Sequence, residues 1–217
     1  MKKNNKNIII SISLVLISIV YTLLIKLVDV KGIGPKGSKV GFSTINNLFA
    51  KKIGVNMSLY KLTEILGYMA FLLVLVYAVI GIKQLIKRKS LLKVDKEIIV
   101  TGFFYIFVLG MYALFEILKI NYRPTLIDNI LEVSYPSSHT MLAVCLCGST
   151  IILNRLKYSK IRFFKIENII SIILMVLIIF GRLFSGVHWF TDILGGIIIS
   201  SGMLFIYYTI LNMLKER

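Results

Sequence analysis

Six stretches of this sequence are each long and apolar enough to cross a lipid bilayer as an α-helix. A helix needs about 20 mostly apolar residues to span the hydrocarbon core. The stretches cover residues 7–25, 62–86, 98–120, 137–153, 168–184 and 190–214. With a hydrophobic content of 57%, well above that of water-soluble proteins, this pattern predicts an all-α integral membrane protein with six transmembrane helices. We expect residues 1–217 to form one membrane domain.

The basic residues between these stretches predict the orientation of the chain. Lysine and arginine are concentrated in the N-terminal tail and in connections 83–97 and 154–167, and such residues favour the cytoplasmic side. Both termini are therefore expected inside. The first stretch is long enough to span and is followed by no small-residue cleavage site, so we interpret it as a retained helix. The net charge of +16 is interpreted as charge beside anionic lipid, and no nucleic-acid partner is expected.

The connection after the first stretch contains an amphipathic pattern. Apolar residues recur at helical spacing at Phe42, Ile45, Leu48, Phe49 and Ile53. This pattern predicts a short helix in the membrane interface, preceded by a turn over residues 32–35. Two interpretations stay open for this helix, a surface anchor and a lid over a lipid substrate.

The chain contains only two histidines, and each lies in a polar string at the end of a predicted span. His139 closes the string P-S-S-H, which begins at Pro136. His188 lies within the spacing R-x5-H-x3-D, which runs from Arg182 to Asp192. A carboxylate within a membrane span is costly and indicates a functional site by default.

A third polar string, from Lys119 to Arg123, ends the third predicted span. Because consecutive spans alternate in direction, the ends that carry the three strings meet on the same side of the membrane. With the N-terminus inside, this is the outer side. The three strings are therefore expected to form one site at the outer membrane face.

These residue types match the requirements for cleaving a phosphate ester or anhydride. Arg123 and Arg182 can each bind phosphate oxygens with two parallel hydrogen bonds, and Lys119 adds a point charge. Ser137 and Ser138 open a helix, where a serine can act as the N-cap and free backbone N–H groups attract an anion. No metal or cofactor is expected, because side chains supply the positive charge.

The histidines have separate expected roles. His188 is the candidate nucleophile, because the Asp192 carboxylate one helical turn later could accept its second ring N–H and fix the tautomer. His139 is the candidate general acid for the leaving oxygen. The expected intermediate is a phosphohistidine that water hydrolyses in a second step.

Over residues 98–214 the chain resembles the type 2 phosphatidic acid phosphatase superfamily, whose pattern is K-x6-R-P, P-S-G-H and S-R-x5-H-x3-D. The resemblance implies a six-helix, metal-independent membrane enzyme that hydrolyses lipid phosphates or pyrophosphates. It assigns phosphate binding to Arg123 and Arg182, acid catalysis to His139, nucleophilic attack to His188 and orientation to Asp192. Undecaprenyl pyrophosphate and glycerolipid phosphates are the candidate substrates, in a cell (inner) membrane with the site facing outwards.

The sequence departs from the family pattern at three positions. Glu116 stands at the lysine position, Ser138 at the glycine of P-S-G-H, and Gly181 at the serine before the second arginine. Glu116 would repel a phosphate, so we expect it to pair with Lys119 or to cap a neighbouring helix. The change to Ser138 is expected to be tolerated, because its backbone N–H remains.

Two other functions stay open at this point. An intramembrane serine protease using Ser185 or Ser138 would leave both arginines unexplained. A lipid-phosphate binding or transport protein of the same fold would account for the arginines and for the loss of the family lysine.

Overall fold

The computed structural model describes residues 2–216, which form seven α-helices. In chain order these are α1 (Lys2–Leu27), α2 (Ser43–Ile53), α3 (Met57–Arg88), α4 (Lys96–Leu118), α5 (Ser138–Lys157), α6 (Arg162–Phe184) and α7 (Phe190–Lys215). All except α2 are long and apolar enough to cross a membrane, which confirms the six predicted spans. The protein is an all-α, multi-pass membrane protein.

Several helices, α3 and α6 among them, begin earlier than the hydropathy pattern predicts. Helix α3 starts at Met57 rather than residue 62, and α6 starts at Arg162 rather than residue 168. The first turns of both helices contain polar residues that lower the hydropathy but continue the helical backbone. The start of α3 is fixed by Asn56, whose side-chain oxygen accepts a hydrogen bond from the Leu59 backbone N–H (3.0 Å).

Helices α5 and α7 form the centre of the bundle. Helix α5 packs against α3, α6 and α7, and α7 packs against α1, α4 and α5. In α5, 61% of the spanning residues are buried, against 11% in α1 and in α3, so the latter two present most of their surface to lipid. Glycines bring α5 and α7 close together. A Cβ added at Gly148 would lie 2.5 Å from the Leu204 side chain, and one at Gly196 would lie 3.1 Å from Thr140.

The short helix predicted after the first span is confirmed as α2, which packs on the start of α7. Asn46 on α2 donates a hydrogen bond to the Thr191 hydroxyl (2.9 Å) and accepts one from the Thr191 backbone N–H (3.2 Å). The rings of Phe49 and Phe190 stack with centroids 4.2 Å apart. The predicted turn before α2 is also present, as a single 3₁₀ turn at Pro35–Gly37.

The basic connections lie at the opposite end of the bundle from the histidines. There Lys157, at the end of α5, forms ion pairs with Asp95 (3.0 Å) and Glu97 (2.9 Å). Arg88 pairs with the same Asp95 at 2.7 Å. These contacts tie the connection between α3 and α4 to the end of α5. The inside location of both termini stays a prediction.

Candidate active site

The residues of the three polar strings meet at one end of the bundle. Arg123 follows α4, His139 is in the first turn of α5, Arg182 is in the last turn of α6, and His188 precedes α7. The ring of Tyr60, near the start of α3, connects two of these elements. Its centroid lies 4.7 Å from the Arg182 Cζ and 5.7 Å from the Arg123 Cζ. No sequence pattern singled out Tyr60, which belongs to none of the three strings.

Arg123 lies on a small β-hairpin formed by residues 121–134. The Arg123 N–H donates to the Glu132 carbonyl (3.0 Å), and the Ser134 N–H donates to the Asn121 carbonyl (2.9 Å). At the tip, Asp128 and Asn129 both have positive φ, as a tight hairpin turn requires. The sequence interpretation missed this hairpin, although consecutive Asp and Asn residues are a known turn signal.

The hairpin places Arg123 directly opposite Glu132. The Arg123 Nε lies 2.9 Å from the Glu132 carboxylate, and the two side chains are 8% and 39% exposed. Glu132 therefore lies on the solvent side of the arginine. The inner Nη1 of Arg123 is buried and has no hydrogen-bond partner among residues 2–216.

Arg182 is the largest fully buried side chain of the described part of the chain. None of its three guanidinium nitrogens has a hydrogen-bond partner there. Buried charged groups in proteins are normally paired, because an isolated buried charge is strongly destabilising. The Tyr60 ring stacked against the guanidinium offsets part of that cost. Such an arrangement suits a group that binds an external anion.

His188 is oriented by a backbone carbonyl. Its Nδ1 lies 3.2 Å from the Ser134 oxygen, whereas the Asp192 carboxylate is 4.0 Å away. An Nδ1–H that donates to Ser134 leaves the Nε2 lone pair free, and Nε2 is buried without a partner in residues 2–216. Burial first, and then the positive charges of Arg123 and Arg182, hold the pKa of His188 well below its usual value. The ring is therefore neutral near pH 7.

The structure corrects the predicted hydrogen bond between His188 and Asp192. One Asp192 oxygen accepts from the Trp189 backbone N–H (3.0 Å), and the other accepts from the Asn121 side-chain amide (3.2 Å). Asp192 sits at the third position of α7, where a carboxylate caps the free N–H groups of the helix start. It therefore connects the loop of His188 to the hairpin of Arg123. Asn121 and Ser134 complete these contacts and were not predicted.

His139 lies beside α3. A Cβ added at Gly67 would be 3.3 Å from the His139 ring, so this ring packs where α3 has no side chain. The His139 Nδ1 is buried and unpaired within the described residues. The backbone N–H groups of Ser138 and His139 belong to the first turn of α5, whose N–H groups have no partner inside the helix.

Ser137 is the N-cap residue of α5, but its side chain does not cap the helix. Its hydroxyl accepts from the Thr140 hydroxyl (3.1 Å) and forms no capping hydrogen bond. Its backbone N–H donates to the Asp192 carbonyl (3.0 Å), so that N–H is not free to bind an anion. The contact instead joins the start of α5 to the start of α7.

Lys119 and Glu116 do not form the expected pair. Both are exposed, and no ion pair joins them in residues 2–216. Lys119 ends α4 with a left-handed backbone (φ 44°), which directs the chain away from the helix axis. It makes no side-chain hydrogen bond with the other candidate site residues that the structure describes.

Comparison with known proteins supports the resemblance. The family model of the PAP2 superfamily matches residues 67–216. Lipid phosphate phosphatase delta of Arabidopsis thaliana is 33% identical over 91 residues, which are 41% of this chain but only 22% of that relative. The crystal structure of a transmembrane PAP2-type phosphatidylglycerolphosphate phosphatase from Bacillus subtilis superposes with a TM-score of 0.57 at 21% identity, covering 95% of this chain and 96% of that one. The chain belongs to the PAP2 superfamily.

Proposed function

We propose that this protein hydrolyses a membrane lipid phosphate or pyrophosphate at the outer face of the cell membrane, without a metal ion, through a phosphohistidine. Undecaprenyl pyrophosphate and glycerolipid phosphates are the candidate substrates. One observation carries the proposal. The buried, unpaired guanidinium of Arg182 shares the Tyr60 ring with Arg123, at the end of the bundle that also carries the unpaired imidazole nitrogen of His188. The outer location rests on the basic connections at the opposite end of the bundle.

In the first step the neutral Nε2 of His188 attacks the phosphorus atom. A P–N bond forms, the bond from phosphorus to the leaving oxygen breaks, and protonated His139 donates its proton to that oxygen. Arg123 and Arg182 hold the phosphoryl oxygens as charge moves onto them. The developing imidazolium is stabilised by the Ser134 carbonyl at Nδ1 and by the Asp192 carboxylate 4.0 Å away.

In the second step water replaces the histidine. Neutral His139 accepts a proton from water, the oxygen attacks phosphorus, and the P–N bond breaks to release inorganic phosphate. His188 and His139 return to their starting protonation states once the phosphate product has left. The positive charge that this chemistry needs comes from the two arginines and the first N–H groups of α5.

Ser185, the alternative nucleophile of a serine protease, does not fit this site. Its hydroxyl is buried and donates a hydrogen bond to the Arg182 carbonyl (2.9 Å). A protease mechanism would also leave the two guanidinium groups without a role.

The experiment is phosphate release by the purified protein from lipid phosphates in detergent micelles, with His188→Asn and His139→Asn variants. We expect turnover that chelators do not reduce and a loss of at least about a thousandfold in each variant. Substrate carrying ³²P should label the wild-type protein when turnover is stopped with alkali, in an acid-labile and alkali-stable form, but should not label the His188→Asn protein. A non-catalytic binding or transport protein would retain lipid without ever forming the adduct, and full turnover by His188→Asn would exclude the proposed mechanism.

A further inference from the structure

We infer that this site selects a lipid with a single phosphate group over the corresponding diphosphate, because carboxylates lie on the exposed side of its arginines. The inference rests on the proposed function and narrows its substrate class. A diphosphate places a second charged group beyond the one that is transferred. The charges of the side chains on the outer side of the site therefore determine how strongly the second phosphate is bound.

Glu132 is the best-defined of these carboxylates. It forms an ion pair with the Arg123 Nε at 2.9 Å and is 39% exposed, whereas Arg123 is 8% exposed. The carboxylate thus occupies the outer edge of the guanidinium, and the inner Nη1 remains free for a phosphate. Glu132 holds the arginine in place for the first phosphate, and it would face a second one.

Two further carboxylates lie near the same side. Glu64 is half-buried on α3, four residues after Tyr60, and therefore lies on the same helix face as the ring that contacts Arg182. Glu116, which stands at the family lysine position, is exposed near the end of α4, one helical turn after Tyr112. The position from which the family supplies a positive charge therefore supplies a negative one here.

Neither Glu64 nor Glu116 forms an ion pair with a residue that the structure describes. The exposed Lys61 and Lys119 form no ion pair with any residue that the structure describes. A phosphate monoester dianion matches the two guanidinium charges. The fully ionised diphosphate carries one more negative charge. Tyr60, His188 and Arg182 are buried whereas Glu132 is partly exposed, so we expect this added charge on the side of the carboxylates. Repulsion between two like charges about 6 Å apart, at an effective dielectric constant of about 40, weakens binding about tenfold.

The test uses two lipids with the same acyl chains, phosphatidic acid and diacylglycerol pyrophosphate, in the same mixed micelles. We expect kcat/KM of the wild-type protein to be about tenfold higher for phosphatidic acid. Glu132→Gln should reduce this ratio about fivefold or more, and Glu64→Gln should reduce it independently. Because selectivity is a ratio within one preparation, partial misfolding of a variant cancels. Equal rates on both lipids, or a ratio unchanged in both variants, would overturn the inference.

Asp128→Asn is the matched control. It removes the same charge from the exposed tip of the same hairpin, and asparagine tolerates the positive φ of this position (47°). This variant should keep the wild-type ratio. If it changes the ratio as much as Glu132→Gln does, the selectivity comes from overall surface charge, and the assignment to Glu132 is wrong.

A binding measurement separates this inference from the proposed function. Orthophosphate and pyrophosphate are titrated into the wild-type protein while the fluorescence of Trp189, the only tryptophan, is recorded. Trp189 adjoins His188 and is nearly buried, so an anion in the site should change its emission. Tighter binding of orthophosphate supports the inference even if neither lipid is hydrolysed, a result that would count against the proposed enzymatic function alone. Tighter binding of pyrophosphate contradicts the inference.

Discussion

Replacing Arg182 with methionine should abolish turnover while making the protein harder to unfold. The guanidinium is fully buried and has no hydrogen-bond partner in residues 2–216. Leaving a buried charge unpaired costs about 3–5 kcal/mol. The Tyr60 ring, 4.7 Å from the Arg182 Cζ, returns about 2 kcal/mol. Methionine has a similar length and no charge, so Arg182→Met should stabilise the fold by about 1–3 kcal/mol.

The effect on activity should have the opposite sign. A positioned donor that holds the phosphoryl oxygens in the transition state contributes about a hundredfold to a thousandfold in rate. We therefore expect kcat/KM of Arg182→Met to fall by at least about a hundredfold. Arg182→Lys keeps the charge but loses the planar fork, so it should lose activity without the gain in stability.

Thermal unfolding in detergent, followed by Trp189 fluorescence, measures the stability. For a chain of this length, 1 kcal/mol corresponds to about 2–4 °C, so Tm of Arg182→Met should rise by about 5 °C. Orthophosphate at a hundred times its Kd should stabilise the wild-type protein by about 2.7 kcal/mol and should have little effect on the variant. A lower Tm in Arg182→Met, with an unchanged response to phosphate, would show that Arg182 is a structural residue and refute this reasoning.

Three further variants or conditions test the surroundings of the site. Gly181→Ser, which restores the family residue, should destabilise the protein by about 1–3 kcal/mol, because a Cβ there lies 2.4 Å from Thr63; Thr63→Ala should rescue its Tm. Tyr60→Leu should raise KM about tenfold through loss of the ring beside both guanidinium groups, whereas Tyr60→Phe should keep KM within about twofold. Because burial and then the arginine charges hold the pKa of His188 below 6.5, the unfolded chain takes up the proton first as pH falls. Tm should therefore decrease as the pH falls below 6.5. The loss of kcat/KM that follows protonation of His188 should also occur below that pH.

The six spans and their shared end were predictable, because both follow from simple rules. Hydropathy over about 20 residues identifies a span, and alternation of direction then places the ends. The end of α4, the start of α5, the end of α6 and the start of α7 must lie together once the spans are known. The spacing of the motifs then identified the side chains that lie at those ends.

The contacts that orient these side chains were not predictable. Ser134 lies 54 residues before His188 in the chain, and their hydrogen bond joins a backbone carbonyl to a ring. Such a contact leaves no periodic signal, since any residue type supplies a carbonyl. The ion pair of Arg123 and Glu132 depends on the register of a short hairpin, which is fixed by its turn rather than by an apolar pattern.

Asp192 shows how a correct spacing can predict a wrong contact. The separation of four residues suggested that it lies one helical turn beyond His188, but α7 begins only at Phe190. His188 is therefore outside the helix, and the carboxylate turns back to the Trp189 N–H and the Asn121 amide. At 4.0 Å it still attracts the imidazolium that forms on phosphoryl transfer, without a direct hydrogen bond. The same carboxylate thus fixes the distance between the hairpin and the histidine loop. Its removal should displace Arg123 and His188 together.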